Sequence, residues 1–182
     1  MKTTHVMVGS ESLGLQLNSA ILSIGAVEFD PYSDQLGRTF HMCIPLAESL
    51  ANGLTIDAGA LAWWLKQEGS ARERMAHKLT NGYALYSALS TFTGFIVAAG
   101  GDKNAKFWSC GMMDIAWLTS AYNALGLEVP WGYRVGDYRT IRDELAEPGD
   151  APEATTSHDA LADAIWQAKL MQNIYRRLGK HE

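Results

Sequence analysis

Up to about residue 45 the apolar positions of this chain recur with a period near two, and beyond it they recur three and four apart. Val6-Met7-Val8 reads as a short apolar strand. Ala20 to Phe29 is rich in β-branched residues and reads as a second strand. Gly37 to Ile44 reads as a third, with Thr39, His41 and Cys43 alternating against Phe40, Met42 and Ile44. The connections are short, which predicts an antiparallel three-strand meander. Then the period changes. Asp57 to Gln67 carries Leu61, Trp64 and Leu65 at helical spacing, and Ser70 stands where it would cap a polar helix from Ala71 to Leu79. Tyr83 to Ala99 shows Leu85, Leu89, Phe92 and Ile96 on one face. Ala105 to Ser109 reads as a strand, and Met112 to Leu125 as a helix closed by Gly126. A strand near Tyr133 to Val135, a helix from Tyr138 to Leu145 and a long helix from about His158 to Leu178 follow. Glu147 to Ser157, with Pro148, Gly149 and Pro152, reads as a surface loop. Antiparallel strands first and helix–strand alternation second predict an α/β fold, a mixed five-stranded sheet flanked by helices.

Composition narrows the class. With 182 residues, 47% of them hydrophobic and 19% charged, the chain has the makings of one domain with a real core and is not disordered. The longest apolar run, Phe92 to Ala99, is far short of the roughly 20 residues that span a membrane, so no membrane partner is expected. Met1-Lys2-Thr3-Thr4-His5 enters the first strand pattern at once, without a signal-peptide plan. Cys43 and Cys110 are too few for a disulfide scaffold and read as packed thiols of a cytoplasmic protein. The net charge of −5 argues against a broad duplex-binding face, but not against a site built of carboxylates that cations neutralise.

Three segments place acidic residues at element ends. Glu11 lies at the end of the first strand, in Val8-Gly9-Ser10-Glu11-Ser12-Leu13-Gly14. Asp114 lies where a strand passes into a helix, in Ser109-Cys110-Gly111-Met112-Met113-Asp114. His158, Asp159 and Asp163 open the last helix. Carboxylates so placed can converge at one sheet edge, and hard cations such as Mg²⁺ or Mn²⁺ take oxygen ligands of this kind. Trp63 and Trp64 are adjacent and point to different sides of their helix, so one belongs to a core and the other is free to stack on a base. Arg176-Arg177 reads as a solvated helix face, and Arg139 as a contact to a phosphate or a partner subunit.

Together these strings resemble the DEDDh family of 3′→5′ exonucleases on a ribonuclease H-like fold, and within it the small phage enzymes of the DexA-like group and the RNase AS-type exoribonucleases. The similar segments are Asn18 to Asp30, Thr55-Ile56-Asp57 followed by Trp63-Trp64-Leu65-Lys66-Gln67, and Asp137-Tyr138-Arg139-Thr140. The resemblance implies that Glu11, Asp114 and Asp163 are metal ligands for Mg²⁺ or Mn²⁺, with two ions in the family. It implies that His158 is the general base, that Glu11, Asp114 and Asp163 share in catalysis, and that Ser12, Leu13 and Trp64 touch substrate. It further implies a single 3′→5′ exonuclease domain over residues 1–182. The expected substrate is a single-stranded 3′ end, DNA before RNA, released as nucleoside 5′-monophosphates. A phage-encoded protein acting in a bacterial host and a homodimer fit the same resemblance. Two positions depart from the pattern. Gly9 stands where the family's first aspartate would touch both metals, which implies one ion and weakened or lost activity. Gly136 stands where an arginine would open the fourth segment. The alternative is a non-catalytic protein that binds nucleic acid or nucleotide on the same fold.

Overall fold

The structure is a computed structural model and describes residues 4–154 and 158–179. The expectations placed on Met1 to Thr3 and on the end of the loop up to Ser157 fall outside those residues. Strands β1 (Thr4–Ser12), β2 (Ile21–Phe29) and β3 (Leu36–Cys43) form the meander, each antiparallel to the next. Helices α1 (Leu46–Ala51), α2 (Ala58–Leu65), α3 (Gly69–Thr80), α4 (Leu85–Ala98) and α5 (Gly101–Asn104) lead to β4 (Ala105–Ser109), which pairs parallel to β1. Helix α6 (Met113–Ala124) leads to β5 (Val135–Asp137), parallel to β4, and α7 (Tyr138–Leu145) and α8 (Ala160–Arg177) complete the order. The sheet runs β3-β2-β1-β4-β5, with β1 at its centre. This is the mixed five-stranded, helix-flanked α/β arrangement of ribonuclease H-like folds that the sequence pattern predicts.

Strand alternation divides the core. Val6 and Val8 face one side and pack with Ile24, Phe92, Phe107, Leu118 and Tyr122 beneath α4 and α6. Met7 faces the other and packs with Val27, Trp108, Met171 and Ile174 beneath α7 and α8. The same alternation turns Ser10 toward α6 and puts Gly9 and Glu11 on the α8 face.

The differences from the predicted elements are local. Ser70 is not a cap: α3 starts at Gly69, two residues earlier than expected, after Glu68 and with no side-chain cap. The last strand lies two residues later than its Tyr and Val suggest, because its ladder pairs Phe107, Trp108 and Ser109 with Val135, Gly136 and Asp137 while Tyr133 is left 97% exposed. That register accounts for Gly136: a Cβ there would lie 2.5 Å from the Trp108 ring, so any side chain, an arginine included, would displace the indole. The last helix begins at Ala160, capped by Asp159, whose Oδ1 accepts from the Ala162 N–H at 3.1 Å. Arg177 is no free solvated residue. It donates to both carboxylate oxygens of the buried Asp150, to Glu147 and to the Leu145 carbonyl, and so ties the loop after α7 to α8.

One contact fixes α8 against the sheet. Gly9 and Gly25 are register partners on β1 and β2. A Cβ on Gly25 would lie 2.2 Å from the Leu161 nitrogen and 2.3 Å from the Ala160 carbonyl carbon. On Gly9 it would lie 2.9 Å from the Ala160 oxygen. The first turn of α8 therefore rests on bare backbone. Gly25→Ala is expected to push that turn off the sheet and destabilise the fold by about 1–3 kcal/mol, as overpacked cores do, read as a lower denaturation midpoint. A midpoint equal to wild type would mean that the contact is not tight.

Candidate active site

β1 delivers Gly9, Ser10 and Glu11 to the centre of the sheet edge, α6 brings Asp114 and α8 brings Asp163. These residues line one cleft of about 410 Å³ together with His158, Arg139, Cys110 and Gln167. Glu11, Asp114, His158 and Asp163, separated by up to 152 positions in sequence, thus converge as their strand-end and helix-start positions suggest. Ser10 is the fastener. Its N–H (2.9 Å) and its hydroxyl (2.6 Å) both donate to Asp114 Oδ1, locking α6 to β1. Nothing in the sequence marks Ser10 for this role except its place between Gly9 and Glu11.

Burial governs the charges. It pushes Glu11 up to about 8; nearby Lys78 opposes the rise, while Asp163, Asp114 and Asp159 add to it. Burial likewise pushes Asp114 up to about 6, against the two hydrogen bonds from Ser10. Asp163 is also raised by burial, with His158 pulling it back. Burial acts upward on Asp159 too, but the Ala162 N–H, Lys78 and His41 outweigh it and hold the carboxyl below its ordinary range.

His158 adopts a left-handed backbone, φ 58°, rare for a residue with a side chain. Its ring meets the edges of Trp63 (centroids 5.1 Å apart) and Trp64 (5.8 Å). The two indoles divide the work the other way round from the expected one. Trp64 is 4% exposed, packs with Leu13, Leu22 and Met75, and donates through Nε1 to the Ser12 carbonyl at 3.0 Å. Trp63 is 48% exposed and lines a second cavity of about 520 Å³ with Ser12, Leu15, Asp57, Ala60 and Trp117. Trp64 reaches the same cavity from the core, and the broadly exposed indole there is Trp63. Leu13 also keeps its side chain in the core. It is fully buried, its backbone tied to Ala20 and Asp57, while Leu15 at 75% exposure borders both cavities. Ser12 does line the cavity. The Trp117 indole donates to the Gln16 carbonyl at 2.8 Å and pins the loop that carries Leu15.

Asp137 explains the fourth segment. Its Oδ1 accepts from the N–H groups of Gly111 and Arg139 and its Oδ2 from Thr140, so it caps α7 and holds the turn before α6. Arg139 lies against the Cys110 carbonyl and sulfur, with its guanidinium bordering the cleft.

The donor types suit a hard divalent cation: the carboxylates of Glu11, Asp114 and Asp163, with Gln167 Oε1 at the cleft wall buried and without a partner among the described residues. The arrangement is incomplete. Gly9 supplies no side-chain oxygen, and among the described residues no three His, Cys, Asp or Glu groups stand close enough to hold one ion.

The family model of the 3′-5′ exoribonuclease Rv2179c-like domain matches residues 4–175. The chain belongs to this family. No curated protein matches it by sequence. Among solved structures, this Rv2179c-like chain is similar to the nuclease domain of 3′hExo, a DEDDh family member bound to rAMP. The TM-score is 0.67 at 11% identity, over 97% of this chain and 93% of that one. It is also similar to E. coli exonuclease I in complex with a dT13 oligonucleotide, with a TM-score of 0.66 at 14% identity, over 98% of this chain and 43% of that one. The chain thus spans less than half the length of exonuclease I. At 11% and 14% identity these likenesses show a shared fold. Among the described residues no helix is long and apolar enough to cross a membrane.

The raised Glu11 carboxyl predicts a pH dependence. Folded, it titrates near 8 against an ordinary 4.5, so the folded chain keeps a proton that the unfolded chain has released. Without metal, stability is therefore greatest at or below 4.5 as far as this group is concerned, and falls as pH rises toward 8. Thermal midpoints measured across that range in EDTA should decline, and Glu11→Gln should flatten the decline. An identical slope in the variant would show that Glu11 is not the group responsible.

Proposed function

We propose that the chain is a metal-dependent 3′→5′ exonuclease domain acting on single-stranded nucleic acid in the cytoplasm, with nucleoside 5′-monophosphates as products. The observation that carries this reading is the convergence of Glu11, Asp114, His158 and Asp163 on one cleft beside the exposed Trp63. The family description is of an exoribonuclease, which turns our preference from DNA to RNA. The DexA-like and RNase AS-type strings are compatible with both substrates, and a phage origin remains part of the proposal.

Glu11, Asp114 and Asp163 would hold Mg²⁺ or Mn²⁺, which in such sites neutralises the phosphate and favours a hydroxide nucleophile. This chain's own groups do the rest. His158, edged by Trp63 and Trp64, takes the proton of the attacking water at its imidazole. Glu11, whose carboxyl burial pushes up to about 8, would hold a cation in its ionised form. Trp63 stacks on the terminal base, with Ser12 and Leu15 beside it. Arg139 faces the phosphate. Gly9 limits the chemistry, since only a residue with an oxygen there could bridge two ions. A second reading, a binder that does not cut, is favoured by that glycine, which supplies no side-chain oxygen to the cleft.

The deciding experiment is a gel assay with 5′-labelled single-stranded RNA and DNA in Mn²⁺ and in EDTA, on wild type and Gly9→Asp. We expect slow shortening by wild type, abolished by EDTA. Gly9→Asp should be faster by several orders of magnitude, at a cost in stability, because its Cβ would lie 2.9 Å from the Ala160 backbone oxygen and the first turn of α8 must shift to admit it. Adding His158→Ala to Gly9→Asp should lower turnover by roughly 10²-fold or more with little change in affinity. No shortening by either wild type or Gly9→Asp would favour the non-catalytic reading. Trp63→Ala should weaken single-strand binding by about 1–3 kcal/mol with the fold intact. Trp64→Ala should instead cost about 3–5 kcal/mol of stability. The reverse pattern in binding titrations and equilibrium unfolding would return the stacking role to Trp64.

A further inference from the structure

The buried stripe of α3 is Ala71, Met75 and Lys78. Spacings of four and three put these side chains on one face, so a lysine stands where a third apolar residue would complete the stripe. Its side chain is 6% exposed. A buried ammonium is costly unless an opposite charge faces it, and here Asp159 does, with Nζ 3.7 Å from Oδ2. The other oxygen of Asp159 caps α8. Lys78 is therefore fastened to the turn that carries His158 and leads into Asp163.

The sheet register extends the reach of this charge. Glu11, Ser23 and Cys43 form one row across β1, β2 and β3, and Gly9, Gly25 and His41 form the next. Glu11, Asp163, Cys43 and His41 all feel Lys78. Yet Lys78 lines neither cavity. It is a fixed positive charge behind the cleft wall, on the α8 side, where Gly9 leaves the cleft without a carboxylate.

We propose that Lys78 is a resident cation of the cleft, lowering its affinity for divalent metal and raising its affinity for the phosphates of a nucleic-acid 3′ end. The metal half stands on the buried Lys78–Asp159 pair beside the turn that carries His158, and the phosphate half rests on the proposed function. A lysine is a compact point charge that cannot leave the site, unlike a bound ion.

The test uses opposite signs. Removing a positive charge must strengthen cation binding and weaken anion binding, whereas damage to the fold weakens both. Mn²⁺ binding would be followed by the loss of the free-ion electron paramagnetic resonance signal. RNA binding would be followed by the anisotropy of a 5′-fluorescein oligouridine in EDTA. Lys78→Met should bind Mn²⁺ about tenfold more tightly and RNA about tenfold more weakly, each equal to about 1.4 kcal/mol. Lys78→Arg should keep both near wild type. Asp159→Asn retains a capping side chain and should shift both affinities the other way. It decides the matter if Lys78→Met fails to fold. A folded Lys78→Met with unchanged or weaker Mn²⁺ binding, or an Asp159→Asn with unchanged Mn²⁺ binding, overturns the proposal. Wild type that binds no RNA while the Mn²⁺ shifts appear refutes the proposed function and the phosphate half, and leaves the resident charge supported.

Discussion

The structure depends on a close approach of backbone to backbone. The first turn of α8 rests on Gly9 and Gly25, partners across the central ladder, with no side chain between helix and sheet. Such contact is tight and short-ranged, so it fixes the height and the direction of α8 together. From that seat follow the position of Asp163 one turn in, the left-handed backbone of His158 just before the helix, and the placing of Asp159 within reach of Lys78. Ser10 does on the opposite face of β1 what the glycine pair does on this one: it fixes the helix that carries Asp114. One strand thereby sets both walls of the cleft.

The same seat gives Gly9 two consequences. The glycine places no side-chain oxygen among the carboxylates, and it lets the Ala160 carbonyl approach to 2.9 Å from where a Cβ would stand. A missing side chain is thus a matter of packing as well as of ligation. The cleft answers the excess of buried carboxylates with protonation of Glu11 and with the ammonium of Lys78. Both responses lower the electrostatic cost of keeping acids near one another away from water.

Aromatic residues organise the larger cavity. Trp64 holds the end of β1 through the Ser12 carbonyl, and Trp117 holds the following loop through Gln16. These two buried indoles make the cavity wall rigid, so that Trp63 and Leu15 can be exposed on it without collapsing into the core. On the far edge, the flat face of Trp108 against Gly136 permits β5 to pair where it does, and Asp137 then connects that edge to the turn before α6.

The sequence by itself determined the meander, the helix–strand alternation, the strand β4 and the helix α7. It also determined which acids end strands or open helices, because periods of two and of about 3.6 are written in the spacing of apolar residues. That Glu11, Asp114, His158 and Asp163 meet at one cleft was legible from those strand-end and helix-start places and from the order of the resembling segments. What it could not contain was the choice between neighbours of like chemistry. Trp63 and Trp64, Leu13 and Leu15, and the true start of β5 differ only in which partner across the sheet claims them. The weight of Lys78 was hidden in the same way. A polar residue on an apolar stripe hints at burial, but its partner lies 81 positions away on another element. Tertiary structure decided these because burial and pairing are properties of three-dimensional neighbours, and no local period encodes who those neighbours are.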